Sequence, residues 1–270
     1  MIENANVAFV GSGTMGEAMI RVTLAKGLLT PQQIIASDVR PDRLEALAAR
    51  YGIRVTTDNA TAVHDADVVV LSVKPQVLPT VLVELKGKVQ PTAVVLSIVA
   101  GARLATLVEG LGHGAVFRSM PNTPAQIGEG MTVWTATEKT SEEQRARAEA
   151  VLQAMGQAIY VREEKQLDMA TAVSGSGPGY VFLIMEAMVD AAVYLGFSRP
   201  VARQLVLQTV LGSVLFAVQS GVHLAELRNM VTSPGGATAE ALYQMEKGSL
   251  RAVLCAAIQA AYQKSRLLGS

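Results

Sequence analysis

Three groups of residues in this 270-residue chain have types and spacings that can do chemistry. The first is Gly11-Ser12-Gly13-Thr14-Met15-Gly16, a G-x-G-x-x-G run entered directly from the apolar stretch ending at Val10. Such a run after a strand and at the start of a helix is a dinucleotide-binding fingerprint. Gly11 permits a tight turn, Gly13 lets backbone approach a pyrophosphate, and Gly16 allows close helix–strand packing. The new helix's free N–H groups then face the phosphates. The second is Asp38, about twenty residues further on, where an acid bonds a ribose 2′-hydroxyl and favours NAD. Arg40 and Arg43 follow it and could hold a 2′-phosphate or simply be solvated. The pair points both ways, with the acid tipping the reading toward NADH and dual use remaining open. The third is Ser233-Pro234-Gly235-Gly236-Ala237-Thr238, set inside the most helix-prone part of the chain. Pro removes a backbone donor and Gly costs about 1 kcal/mol in a helix interior, so the break must serve something.

Other polar groups fall where strands end. Ser72-Val73-Lys74-Pro75, Val99-Ala100-Gly101 and Met120-Pro121-Asn122-Thr123-Pro124 each close an apolar run. Ligands of open α/β sheets bind at those carboxyl ends. Lys74 reads either as a surface lysine or as part of such a site, and Asn122 could bond a carboxamide or a backbone group. Oxidation of an alcohol would need a general acid–base. His64 precedes a strand, His113 lies between glycines and His223 starts a helix, so none has a catalytic setting. The G-x-G-x-M-G run also resembles β-hydroxyacid dehydrogenases, which carry an essential lysine past a Gly-rich turn. Here the turn is Ser174-Gly175-Ser176-Gly177-Pro178-Gly179-Tyr180, yet no lysine occurs between Lys165 and Lys247. A protonated cyclic imine asks for less: its carbon already accepts hydride, and positioning does most of the work.

The elements that must hold these groups change character along the chain. Up to about residue 160, β-branched runs at 7–10, 34–36, 53–56, 67–73, 93–99, 115–119, 131–135 and 158–161 alternate with helical stretches at 14–26, 41–50, 76–85, 102–110 and 141–155. Continuous apolar strands alternating with helices predict a parallel sheet buried on both faces. Beyond Val161 the strands vanish, and helices are expected at 163–173, 178–195, 199–220, 222–231, 235–247 and 249–268. The expected architecture is α/β: a Rossmann-type domain over 1–162 and an all-helical domain over 163–270. The run VFLIMEAMVDAAVYL is apolar on nearly every face and needs burial all round. One small helical domain cannot supply that, so a homodimer through these helices is expected.

Composition narrows the classes. With 23 Lys and Arg against 23 Asp and Glu, the chain lacks the basic bias of a nucleic-acid binder. Cys255 is the single cysteine, so neither an internal disulfide nor a Cys-based metal site is possible, and no His/Cys spacing suits a metal. No targeting signal is evident, and Tyr180–Leu195, broken by Glu186 and Asp190, reads as too short and too charged to cross a bilayer. No membrane association and a cytoplasmic location are expected.

Taken together, G-S-G-T-M-G (11–16), S-V-K-P (72–75), V-A-G (99–101), M-P-N-T-P (120–124), S-G-S-G-P-G-Y (174–180) and S-P-G-G-A-T (233–238) resemble the pyrroline-5-carboxylate reductase family, in order and over nearly the whole chain. The resemblance implies reduction of 1-pyrroline-5-carboxylate to L-proline by NADPH or NADH, an obligate dimer, and assembly into a ring, a decamer of dimers. It places nucleotide contacts on Val10 to Met15, Ser37, Asp38, Asn59, Ser72 to Pro75 and Val99 to Gly101, Met120 and Asn122 near the nicotinamide, and the substrate on Ser233 to Thr238. Reduction of another cyclic imino acid, such as the six-membered homologue, or a non-catalytic dinucleotide-binding role would keep the same fold.

The substrate loop also has a direct physical reading. Ser233 suits an N-cap and Pro234 the first helical position. Gly235 and Gly236 let backbone approach a ligand, the next N–H groups can bind a carboxylate, and the hydroxyl of Thr238 can reach an imine nitrogen. Departures from the family pattern are Gly179 for Ala, Ala237 for Thr, and Ala239-Glu240 where an apolar residue is usual. Glu240 either faces the pocket or complements the helix N-terminus.

Overall fold

The structure, a computed structural model, describes residue 2 and residues 5–268. Eight strands form one sheet: β1 (Val7–Val10), β2 (Ile34–Ser37), β3 (Arg54–Thr56), β4 (Val68–Leu71), β5 (Val94–Ser97), β6 (Val116–Met120), β7 (Gly130–Ala136) and β8 (Gly156–Tyr160). Their spatial order is β3-β2-β1-β4-β5-β6-β7-β8. The first six are parallel, with Val7 opposite Ile34 on one side and Val68 on the other. The expectation of a parallel sheet needs one correction: β7 pairs antiparallel with β6, and β8 parallel with β7. Only residues 121–129, which include the turn at 123–127, separate β6 from β7, and a parallel return needs a crossover of a dozen or more residues.

Helices α1 (Thr14–Ala25), α2 (Pro41–Tyr51), α3 (Asn59–Val63), α4 (Leu78–Leu85), α5 (Leu104–Leu111) and α6 (Glu142–Ala154) cover the sheet. Alternate strand residues face opposite layers, because successive side chains point to opposite faces. Val7, Phe9, Val68, Val70 and Leu96 pack with Ile20 of α1, Leu47 of α2 and Leu152 of α6. Ala8, Val10, Val69, Leu71 and Val95 pack with Val81 and Leu85 of α4 and Leu107 and Leu111 of α5. Burial on both faces is why these strands read as unbroken apolar runs. Local signals set the helix ends. Pro41 opens α2 and Gly52, left-handed at φ 67, closes it. Ser141 and Gln144 cap the start of α6 reciprocally. The short α3 was not anticipated; Asp58 caps it by accepting from the Ala60 N–H.

Six more helices follow: α7 (Lys165–Ala170), α8 (Gly177–Tyr194), α9 (Arg199–Ser220), α10 (Leu224–Met230), α11 (Ala237–Lys247) and α12 (Leu250–Leu268). A π-helical turn, Thr171–Gly175, joins α7 to α8. The chain divides into two compact units, one of residues 1–176 with 261–270, the other of 177–260. The change from strand to helix comes between β8 and α7, while the first unit carries α7 and the π-turn with it.

Within the second unit α8 and α9 pack together, yet α8 has no buried residue and α9 only Ala202 and Val206. Phe182 is 59 % exposed, Leu183 66 % and Val218 75 %. The helical stretch that holds most of Tyr180–Leu195 is longer than the apolar run weighed against a bilayer. Among the described residues two helical stretches, Lys165–Tyr194 with mean hydropathy 1.2 and Arg199–Ser220 with 1.6, are long and apolar enough to cross one.

Candidate active site

The strand order reverses between β1 and β4, and there the carboxyl ends open a cavity of about 670 Å³. Of the residues expected to bind a nucleotide, Gly11, Gly13, Thr14, Asp38, Arg40, Asn59, Ser72, Val73 and Lys74 line it. Gly11 adopts φ +85, and a Cβ there would lie 2.6 Å from Val73 Cγ1. A Cβ on Gly16 would lie 2.6 Å from the Gly11 carbonyl oxygen, whereas one on Gly13 would meet nothing within 4 Å. The two outer glycines therefore close the turn onto its own scaffold, and the middle one faces open space. The first intrahelical bond of α1 runs from Glu17 N–H to Gly13 oxygen, so the amides of Thr14, Met15 and Gly16 lack intrahelical partners. A glycine-floored cavity at a helix N-terminus fits a dinucleotide pyrophosphate.

Side chains hold the loop in shape. Ser72 Oγ donates to the Gly11 carbonyl at 2.6 Å, and Ser12 Oγ to the Ser37 carbonyl at 3.0 Å. Ser37 Oγ donates to Asn59 Oδ1 at 2.8 Å. Asp38 joins both sides: one oxygen accepts the Ser12 N–H at 3.1 Å, the other the Arg40 side chain at 3.2 Å and the Arg40 N–H at 3.1 Å. Burial raises the Asp38 pKa, but Arg40 and the two backbone donors outweigh it and hold the carboxyl below its ordinary value. Arg43 is engaged too. Its Nε donates to the Ser12 carbonyl at 2.9 Å and its guanidinium pairs with Glu17. Glu17 also takes Arg50 and the Tyr51 hydroxyl, each at 2.9 Å. Burial pushes Glu17 up, and Arg43, Tyr51 and Arg50 together bring it below the usual carboxylate range.

Val10, Ser12, Met15, Gly16, Ser37 and Pro75 do not line the cavity but flank the residues that do. Val99, Ala100 and Gly101 turn at the end of β5, with Gly101 at φ +76, and Met120 ends β6. Asn122 resolves its two options in favour of backbone groups: it accepts from Met131 N–H and donates to the Ser174 carbonyl, both at 3.0 Å. Glu17, Val39, Val77 and Val81 also line the cavity and were not anticipated. A Glu directly after the glycine run, facing an Arg-rich second helix, was the available signal for Glu17.

In the second unit the expected cap is corrected. Helix α11 begins at Ala237 with Gly236 as its N-cap, not at Pro234 behind Ser233. Ser233 to Gly236 instead form a tight turn closed by Gly236 N–H to the Ser233 carbonyl at 3.0 Å. Gly235 takes φ +67, the left-handed position such a turn requires. A Cβ on Gly236 would fall 2.4 Å from Ser233 Oγ, so each glycine has its own reason. The first helical bond is Glu240 N–H to Gly236 oxygen, which leaves the amides of Ala237, Thr238 and Ala239 at the free end of α11. Glu240 is exposed and accepts from Gln244 at 2.8 Å, one turn on.

The three histidines have structural settings. His64 is exposed beside Asp65, His113 is buried against the Ala93 carbonyl at 3.0 Å, and His223 caps α10 by accepting the Ala225 N–H. Buried charge appears elsewhere: Arg118, 5 % exposed, pairs with Glu164 and Asp168, each at 2.9 Å. The Glu164 carboxylate also accepts the Leu104 N–H at 2.7 Å.

Comparison with known proteins bears on what this geometry serves. Residues 6–101 match the family model for NADP oxidoreductases, coenzyme F420-dependent, and residues 164–268 that for pyrroline-5-carboxylate reductase dimerisation. A pyrroline-5-carboxylate reductase of Pseudomonas aeruginosa is 42 % identical over 96 % of this chain and 95 % of its own. The structure of the Coxiella burnetii pyrroline-5-carboxylate reductase superposes with a TM-score of 0.93 at 36 % identity, covering 99 % of this chain and 100 % of that one. The Plasmodium falciparum pyrroline carboxylate reductase, solved with NADP bound, gives 0.90 at 29 % identity over 99 % of both chains. Agreement of this extent, running through both the glycine-floored half and the helical half, means that the chain belongs to the pyrroline-5-carboxylate reductase family.

Proposed function

We propose that this protein reduces 1-pyrroline-5-carboxylate to L-proline, the last step of proline formation, with NADH or NADPH as reductant. The observation that carries this reading is the turn Ser233–Gly236 ahead of α11. It supports a carboxylate site made of the free amides of Ala237 to Ala239, with no side chain on Gly235 or Gly236 to keep an anion away. Thr238, in the first turn of the same helix, would donate its hydroxyl to the ring nitrogen. When bound, the reduced nicotinamide supplies a hydride to the imine carbon. The chain's part is to hold the ring in line for that transfer and to orient the nitrogen, whose proton comes from water. The structural settings of all three histidines fit a reaction that needs no titrating side chain.

In the first unit Gly11 to Gly16 and the start of α1 would carry the pyrophosphate, Asp38 the adenosine ribose, and Ser72–Pro75 with Val99–Gly101 the central stretch. Met120 would stand beside the nicotinamide. Asp38 is fixed by Ser12, and both nearby arginines are already paired with acids, so NADH is the preferred cofactor. Residues 1–162 form the dinucleotide half and 163–270 the dimerisation and substrate half. A second copy of the chain covers the exposed apolar faces of α8 and α9, and such dimers assemble further into a ring, a decamer of dimers. This accounts for those faces without a membrane and fits a cytoplasmic enzyme without nucleic-acid partners.

Oxidation of NADH and NADPH at 340 nm with pyrroline-5-carboxylate and with its six-membered homologue tests the reading. Turnover with the five-membered ring is expected. Turnover with the six-membered ring alone would redirect it, and none with either would refute it. Thr238→Ala should lower kcat and leave NADH affinity unchanged.

A further inference from the structure

Asn122 has the residue type and the backbone of a helix cap, yet it does not act as one. It precedes the 3-10 turn Thr123–Ile127 with extended angles, φ −126 and ψ 172, and makes no side-chain bond to that turn. Its amide instead bridges two other segments. Oδ1 accepts the Met131 N–H at the start of β7, and Nδ2 donates to the Ser174 carbonyl, both at 3.0 Å. One partner is a donor and the other an acceptor, so only one orientation of the amide satisfies both.

The sequence explains why Ser174 needs that donor. Four residues on, where a helix would supply an N–H, stands Pro178, which has none. Ser174 also lies in the π-helical turn Thr171–Gly175, a local widening of a kind often found at functional positions. Ser176 N–H closes this turn on the Thr171 carbonyl at 2.8 Å. The same turn rests on Met120: a Cβ on Gly175 would lie 3.1 Å from the Met120 methyl carbon. Two residues of one Met-Pro-Asn run at the carboxyl end of β6 therefore grip one π-turn, Asn122 by a hydrogen bond and Met120 by close packing.

We propose that Asn122 is a positioning residue for hydride transfer. By supplying the donor that Pro178 cannot, it fixes the π-turn against Met120 and so sets where the reacting ring can lie. This rests on the reading above that Met120 stands beside the nicotinamide. Asn122 does not line the cavity that Gly11, Gly13, Thr14 and Asp38 line, and its side-chain partners are Met131 and Ser174.

Asn122→Asp separates the two bonds, because it keeps an acceptor for Met131 and turns an anionic acceptor toward the Ser174 carbonyl. In the full-length enzyme this variant should lose roughly tenfold to a hundredfold in kcat, the scale of a small misplacement. NADH affinity and binding stoichiometry, read by fluorescence titration, should stay within about twofold of wild type, a change under roughly 0.4 kcal/mol. A purely structural role predicts instead lost stoichiometry and a lower Tm with kcat per bound NADH unchanged, and that result overturns the proposal. Hydrogen exchange across 171–176 is the second readout, independent of turnover. Faster exchange in both Asn122→Asp and Asn122→Ala is expected, and unchanged exchange refutes the clamp whichever substrate the enzyme uses. Absence of wild-type turnover would refute the assigned reaction, not the clamp.

Discussion

Replacing Asp38 with Asn tests the cofactor preference at the place where it is built. The carboxylate is nearly buried, a tenth exposed, and is held at the end of β2 by the Ser12 N–H. A 2′-phosphate on the adenosine ribose would have to sit beside it. At about 5 Å, two unit charges repel by roughly 0.8 kcal/mol in water, and several times more at the effective dielectric of a protein surface. A phosphate carrying nearly two charges doubles this, and Arg40, half-exposed and 3.2 Å from Asp38, offsets part of it. A net penalty of about 1.5 to 3 kcal/mol on NADPH follows, equivalent to roughly 10- to 100-fold in relative affinity. Asn keeps an acceptor for Ser12 and removes the charge. The ratio of kcat/KM for NADH over NADPH should therefore fall by that factor, measured side by side at low and moderate salt. Arg40→Ala should move the ratio the other way, because it removes the cation that softens the penalty. A wild-type preference for NADPH, or an Asp38→Asn ratio within about twofold of wild type (a change under roughly 0.4 kcal/mol), would refute the electrostatic argument.

Four further outcomes follow from the same geometry. Gly13→Ala should fold with a stability within a cap's worth, about 1 kcal/mol, of wild type, yet bind NADH at least about tenfold more weakly, since its Cβ points into open cavity. Gly11→Ala should be poorly folded because of φ +85 and the 2.6 Å approach to Val73, so soluble yield and circular dichroism separate the two glycines. Arg118→Met leaves Glu164 and Asp168 without their buried partner and should cost about 3–5 kcal/mol in denaturant unfolding, recovered in part by Glu164→Gln with Asp168→Asn. Burial holds the His113 pKa down, with the Ala93 carbonyl opposing. Below about pH 6.5 the unfolded chain then binds a proton that the folded one resists, so stability contributed at higher pH is lost as pH falls, and His113→Gln should flatten that slope.

Much of the fold was legible because its signals are local. Buried strands announce themselves as apolar runs, and Pro41, Gly52 and Ser141 mark helix ends through backbone geometry that depends on a few neighbouring residues. The glycine run and the Ser-Pro-Gly-Gly break were legible for the same reason: φ above zero and the absence of a Cβ are properties of single residues. The antiparallel β7 was not, since apolar pattern carries no strand direction. The start of α11 was misplaced because Ser233 and Pro234 suit a β-turn as well as a helix N-terminus, and only the bond from Gly236 to Ser233 decides between them.

What the sequence by itself determined was the inventory: a dinucleotide fingerprint, an acid and two arginines after the second strand, an Asn between two prolines, and helices too apolar to stand uncovered. What only the tertiary structure decided was how those groups are paired. Arg40 closes on Asp38 and Arg43 on Glu17, while Asn122 reaches 52 residues along the chain to Ser174. Hydrogen bonds and ion pairs fall off within a few ångströms, and distances that short between residues far apart in sequence are fixed by the packing of the whole sheet and its helices, which no local pattern encodes.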